Sequence, residues 1–298
     1  GGYMVGIGDS ALYAIATADA DGSVGVGYKA LNSITSGQGN VAVGFESLDA
    51  EDDGDFNTAI GYQALTAQTG TSGNVSNTAV GYQAATAITK GRYSTAIGKS
   101  ALSTETVGDR TVAIGYNSLG LQIIGGGDNQ VSGNTAVGFE SGYYNVTGTN
   151  NTYLGYSAGV GASGQSNSNN VGVGANALTA ITTGGENVAI GYTALDAMTT
   201  GSNNIAIGYN SMGDANHVSC DNNVVIGGNA GDAFGANVIA NTVIVGYGAG
   251  SAINNTGATQ TTALGAYALA ALTSGASNTA VGYQAGDALT TGYENTVL

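Results

Sequence analysis

The chain has 298 residues, 52 of them glycine and none of them proline or tryptophan, and 20 acids against 5 bases give it a formal net charge of −15. Five bases read as too few for a basic patch, so nucleic acid and anionic membrane surfaces are excluded as partners, and the acidity reads as a solubility device for a weakly charged surface. One cysteine excludes an internal disulfide framework, no stretch approaches the roughly 18 apolar residues of a membrane helix, and glycine at this level without a G-X-Y period is not collagen.

From Gly8 onward the chain repeats itself. The glycine of an "AIG" or "AVG" step recurs from Gly8 to Gly282 at spacings of 17 to 23 residues, and eight of the fifteen spacings are 17. Seventeen is therefore the smallest closed unit, and longer units carry insertions. Four residues before the glycine, eleven of seventeen units carry Asn, as at Asn40, Asn57 and Asn278. Such a column predicts a corner in left-handed geometry, or a hydrogen-bonded ladder between copies.

Next comes a strand of about four residues with period two. Val, Ile or Thr stands three residues before the glycine, and Val, Ile or Leu one before it; Ala or Gly usually lies between. The expectation is that the Val/Ile columns point inward and the Ala/Gly face lets another backbone approach. The marker glycine turns the chain at a second corner. Tyr or Phe follows it in eleven of sixteen units, and Ala or Ser stands three residues after it in all sixteen. Leu is commonest four after, and a further Gly marks a third corner at Gly37, Gly91, Gly184, Gly201 and Gly275. A 17-residue unit cannot close a core alone and must stack on its neighbours. The pattern predicts an all-β fold: one continuous array over residues 1–298, a parallel β-solenoid of about 17 coils. At roughly 4.8 Å per coil it forms a rod on the order of 80 Å long.

The run "NTAVGYQA" and its variants resemble the head repeats of YadA-like trimeric autotransporter adhesins and the repeat arrays of phage tail-fibre proteins, over essentially the whole chain. The resemblance implies a homotrimer of β-rolls around one axis, with the Ala/Gly face suited to subunit contact. Two departures from the adhesin heads, the longer unit and the regular Tyr, favour the phage-fibre variety. The first residue is not Met and the last phrase is "NTVL", which reads as an excerpt of a longer or processed polypeptide.

Chemistry is sparse along the chain. "ADADG" at residues 18–22 and "LDAEDDGDF" at 48–56, with Asp49, Glu51, Asp52, Asp53 and Asp55, have the acidic density of calcium loops. Ile60 stands where an EF-hand places its bidentate Glu, so a solvated corner is the preferred reading and a weak Ca²⁺ or Mg²⁺ site the alternative. The longest unit holds "LGLQIIGGGDNQVSG" at residues 119–133, where Leu121, Ile123 and Ile124 either cover a neighbour or touch a partner. His217 and Cys220, near Asp214 and Asp221, are too few for a zinc site or a convincing dyad. Glycosylation sequons at Asn74, Asn145, Asn150 and Asn254 carry weight only in a glycosylating source. The G-x-G steps are corners, with no Walker lysine. The aromatic column reads as a packing ladder ahead of a sugar-binding strip.

No catalytic, cofactor-binding or metal-binding residue is assigned, and the chain is not expected to be an enzyme. The leading expectation is an extracellular structural fibre: the trimeric shaft of a phage or virus tail fibre, presenting a receptor-binding tip for host attachment. Its expected partners are two further copies of itself, other virion or tail proteins at its ends, and a host-surface glycan or receptor. The alternative is a bacterial surface adhesin head that binds glycan or matrix directly. An ice-binding solenoid is more remote, because the Thr column alternates with Val and therefore reads as buried. Recognition is expected where the repeat breaks: residues 51–55, 119–133 and 214–221.

Overall fold

The computed structural model describes residues 3–15, 21–69, 73–126, 130–216, 220–235, 238–255 and 257–298, among which all regular structure is β and there is no helix. The fold is a parallel β-solenoid, and its contacts divide into two compact units, Gly1–Asn150 and Asn151–Leu298. In the first unit eight three-residue strands, from Val5–Ile7 to Thr135–Val137, carry the repeat; in the second, eight run from Thr152–Leu154 to Thr279–Val281, and the two-residue Thr296–Val297 follows. Neighbours pair in parallel and in register, so like columns stack. In the first unit Val41, Ala42 and Val43 face Thr58, Ala59 and Ile60. In the second, Ile205, Ala206 and Ile207 face Val224, Val225 and Ile226.

The inside and the outside are reversed from the sequence expectation. The middle residue of each strand is the buried one: Ala42, Ala59, Ala79, Ala113, Ala189 and Ala206 have no exposed surface. The flanking Val, Ile, Leu and Thr residues point outward. The reason is width. The interior between the strand and the opposite side of the coil is already filled by the Leu four residues after the marker glycine, as at Leu31, Leu48, Leu65, Leu178 and Leu195. A β-carbon on Gly25 would sit 3.0 Å from the Ala30 carbonyl and 3.2 Å from Leu12, so only a small side chain fits at the strand centre. The small column does admit a close backbone, but it is the coil's own and not another subunit's.

The corners are tight. The marker glycines lie at φ of about +130° to +144°, and a β-carbon on Gly61 would meet the Gly81 carbonyl oxygen at 2.4 Å. The stacked glycine column is therefore both a backbone conformation and a close approach that other residues cannot supply. Left-handed geometry does not fall on the Asn column. It falls on the residue before it, as at Phe56 (φ 61°), Tyr93 (58°) and Glu186 (60°), and on the Leu column, as at Leu65 (50°) and Leu195 (53°).

The Asn column is instead a buried clasp. Asn187 Nδ2 donates to the Gly201 carbonyl across its own coil (2.8 Å), while its Oδ1 accepts the backbone N–H of Asn204 in the next coil (3.0 Å). Asn40 does the same with Gly54 and Asn57. Through the second unit the side chains of Asn170, Asn187, Asn204 and Asn223 also bond one another. The ladder satisfies backbone groups that the narrow interior shuts off from water.

Candidate functional site

In each unit the outward sheet face presents an aligned apolar strip. In the second unit Leu154, Ile190, Ile205, Val243, Leu264 and Val281 are all more than a third exposed; Ile60 and Ile97 are their counterparts in the first. Eight coils at roughly 4.8 Å make a strip nearly 40 Å long, on the order of 300–400 Å² per unit, which already reaches the size of the largest apolar patch on a typical monomer.

Beside the face runs the aromatic column. Tyr28, Phe45, Tyr62 and Tyr82 stack at centroid distances of 5.0, 5.1 and 5.2 Å. Tyr116 stacks on Phe139 at 5.1 Å, and Tyr192 on Tyr209 at 5.9 Å. Lys99 occupies the column between Tyr82 and Tyr116, with its ammonium 5.8 and 5.6 Å from their ring centroids. The stacked rings spend their faces on one another, as a packing ladder does, whereas Tyr247, Tyr267 and Tyr283 meet edge to face, at interplanar angles of 79° and 81°. A sugar-binding platform needs an open ring face.

At the acidic corner the structure brings three carboxylates together: Glu51, Asp52 and Asp53 have carboxylate oxygens within 4.8 Å of one another. Asp49 turns away to accept from the Thr66 hydroxyl (2.7 Å), and Asp55 accepts the Gln38 backbone N–H (2.7 Å). Glu51 is fully buried, and its Oε1 accepts the N–H groups of Asp52, Asp53 and Gly54. Burial pushes its carboxyl up to about 7, against the pull of those donors. Burial likewise raises Asp49 and Asp53.

Glu105 repeats this arrangement with non-acidic neighbours: its Oε1 accepts from Thr106, Val107 and Gly108. Asp52 and Asp53 are thus dispensable to the motif, in which a buried glutamate caps the third corner. Sequence reading missed both glutamates as interior residues. The signal was there, because each stands 17 residues before a glutamine, Gln68 and Gln122, in the same column.

In the long insertion Ile124 is buried while Ile123 is exposed, so one of the pair covers the coil. The segment 127–129 lies outside the described residues, as do residues 18–20 of the first acidic stretch and His217. Cys220 is buried and unbridged, and its carbonyl accepts the Asn204 amide (2.7 Å). Of the sequons, Asn145 is fully buried, whereas Asn74, Asn150 and Asn254 are exposed. No protein-family model matches the chain, and no curated protein matches it.

Proposed function

We propose that the chain is a segment of a structural, adhesive fibre: a homotrimeric shaft in a phage or virus tail fibre that holds a receptor-binding tip toward the host. The outward Val/Ile/Leu and Thr face carries this reading. An aligned apolar strip of this length offers a continuous contact surface, and three identical strips running parallel cover one another around a threefold axis. The subunit contact is therefore assigned to the Val/Ile face, and the Ala/Gly face serves the coil interior. Stacked glycines and buried Asn clasps give a coil that resists stretch and proteolysis, which suits a shaft. The work is mechanical and not enzymatic, and the place is outside the cell, on a virion, with other tail proteins at the fibre's ends.

A paired substitution tests the contact. Ile190→Asp with Ile207→Asp alters two adjacent coils on the outward face and leaves the interior untouched. The expected product is a monomer with unchanged circular dichroism; a variant that stays trimeric overturns the assignment of this face. Immunogold labelling of the intact source tests the place, because label on particle tails fits the shaft. Label on a bacterial envelope, with glycan or matrix binding by the repeat itself, fits the alternative adhesin head.

The outward Thr/Val column also revives the ice-binding reading, which was set aside on the ground that this column is buried. The column mixes both residues, with Thr58, Thr78 and Thr95 beside Val24 and Val41. Thermal hysteresis by a monomeric chain is its test.

A further inference from the structure

The sequence has too few bases to suggest a basic patch, yet three of its five lie at one corner of two adjacent coils. Lys90, Arg92 and Tyr93 stand eight, six and five residues before Gly98, and Arg110 stands five before Gly115. The Arg110 backbone N–H donates to the Arg92 carbonyl (2.9 Å), which locks the two residues side by side. The Arg110 guanidinium lies 5.9 Å from the Tyr93 ring centroid. Arg92 Nε is buried and has no hydrogen-bond partner among the described residues. The other two bases are engaged on the aromatic column, Lys29 over Tyr28 at 5.4 Å and Lys99 as above.

In other coils this corner is open. In the second unit the same repeat positions, Ser168 and Asn169, Gly185 and Glu186, Ser202 and Asn203, line an open polar groove of about 420 Å³. There the lining is neutral apart from one carboxylate. In the first unit the equivalent positions hold Arg92 and Arg110, with the buried Asp109 between them, whose Oδ1 accepts the Arg92 backbone N–H (2.8 Å).

We propose that Arg92, Arg110 and Tyr93 bind a small oxyanion carried on a hydroxyl-rich molecule, the carboxylate of an acidic sugar. Guanidinium groups match a planar oxyanion with paired N–H donors. A buried Nε without an acceptor leaves the Arg92 charge poorly compensated, and an anion held by the outer N–H groups of the same guanidinium offsets it. Tyr93 adds a phenol and an apolar edge for the sugar body. The net charge of −15, with Asp52, Asp53 and Asp55 in the same unit, repels a long polyanion and leaves the single charge of one acidic residue as the better fit. This goes beyond the fibre reading and does not depend on it: the corner would bind whether the chain is monomeric or trimeric.

Titration of the full chain, followed by calorimetry or by NMR, tests the proposal. The probes are glucuronate, galacturonate and N-acetylneuraminate, with galactose 6-sulfate and neutral glucose as contrasts. Binding of the carboxylate sugars and not of glucose is expected. The loss should be about tenfold or more in Arg92→Gln/Arg110→Gln, and Lys29→Gln should bind as the parent does. Arg110→Gln alone, at an exposed position, provides the test should the double variant unfold. The proposal is overturned by no binding of any carboxylate sugar, by equal binding in the arginine variants, or by binding of the sulfated sugar alone.

Discussion

From the second coil of the first unit the seventh residue after the marker glycine reads Ile34, Glu51, Gln68, Ile88, Glu105, Gln122 and Asn145; in the second unit, between its first and last complete coils, it reads Ile181, Met198, Ala215, Phe234, Ile253 and Leu272. All thirteen are buried. One column of one fold is thus mostly polar in one unit and apolar in the other. The polar version is tolerable because its groups find partners. Glu105 shows how: beyond its three backbone donors, its Oε2 accepts from Gln122 Nε2 (3.0 Å) and the Ile124 N–H (3.2 Å). Glu51 lacks the second half of that set, and its Oε2 has no hydrogen-bond partner among the described residues. Gln68 is spent elsewhere, donating to Thr89 and accepting from Asn77. An unpaired carboxylate oxygen in that interior is costly, and a proton is the cheapest remedy.

Breaking the apolar version should cost most. Phe234→Ala empties a fully buried ring site in the second unit, and about 3–5 kcal/mol of stability should be lost in denaturant unfolding. A loss under 1 kcal/mol would mean that the coil collapses onto the space.

The next effect is one of pH, in the first unit. Glu51 holds its proton up to about 7 when folded, against an ordinary 4.5. Below the lower value both folded and unfolded chains are protonated and the site costs nothing. Between the two the unfolded chain releases its proton first, so stability falls as pH rises. Above about 7 the loss levels off at a few kcal/mol, on the order of 3. Glu51→Gln should remove that slope and leave the chain more stable than the parent at pH 8.

Glu105→Gln should do the opposite at the same pH. An amide cannot accept from all five donors, and about 1–3 kcal/mol should be lost. If both glutamine variants move stability in the same direction at pH 8, the contrast between the two sites is wrong.

The period, the strand position and the glycine corners were legible in the sequence because each is a column that a coil cannot vary. The direction of the strand faces was misread, since larger apolar residues were taken as the core. Three coils held the corrective signal. Tyr153, Val225 and Ile244 enlarge the strand centre, and each is followed six residues later by glycine, Gly159, Gly231 and Gly250, in place of Leu. When one position grows the other shrinks, so the two share a space, and the strand centre must face inward. The structure agrees: a β-carbon on Gly159 would fall 2.3 Å from the Tyr153 ring. The buried glutamates were hidden for a different reason. Glu51 sits in a run of acids that reads as a solvated corner, and only its column-mates Gln68 and Gln122 hint that the position is interior.

The proposed trimer is argued from the outward apolar face, and sedimentation equilibrium of the unaltered chain tests it most directly. The account predicts a species of three times 29.1 kDa that persists on dilution. A stable, soluble species of 29.1 kDa would contradict it.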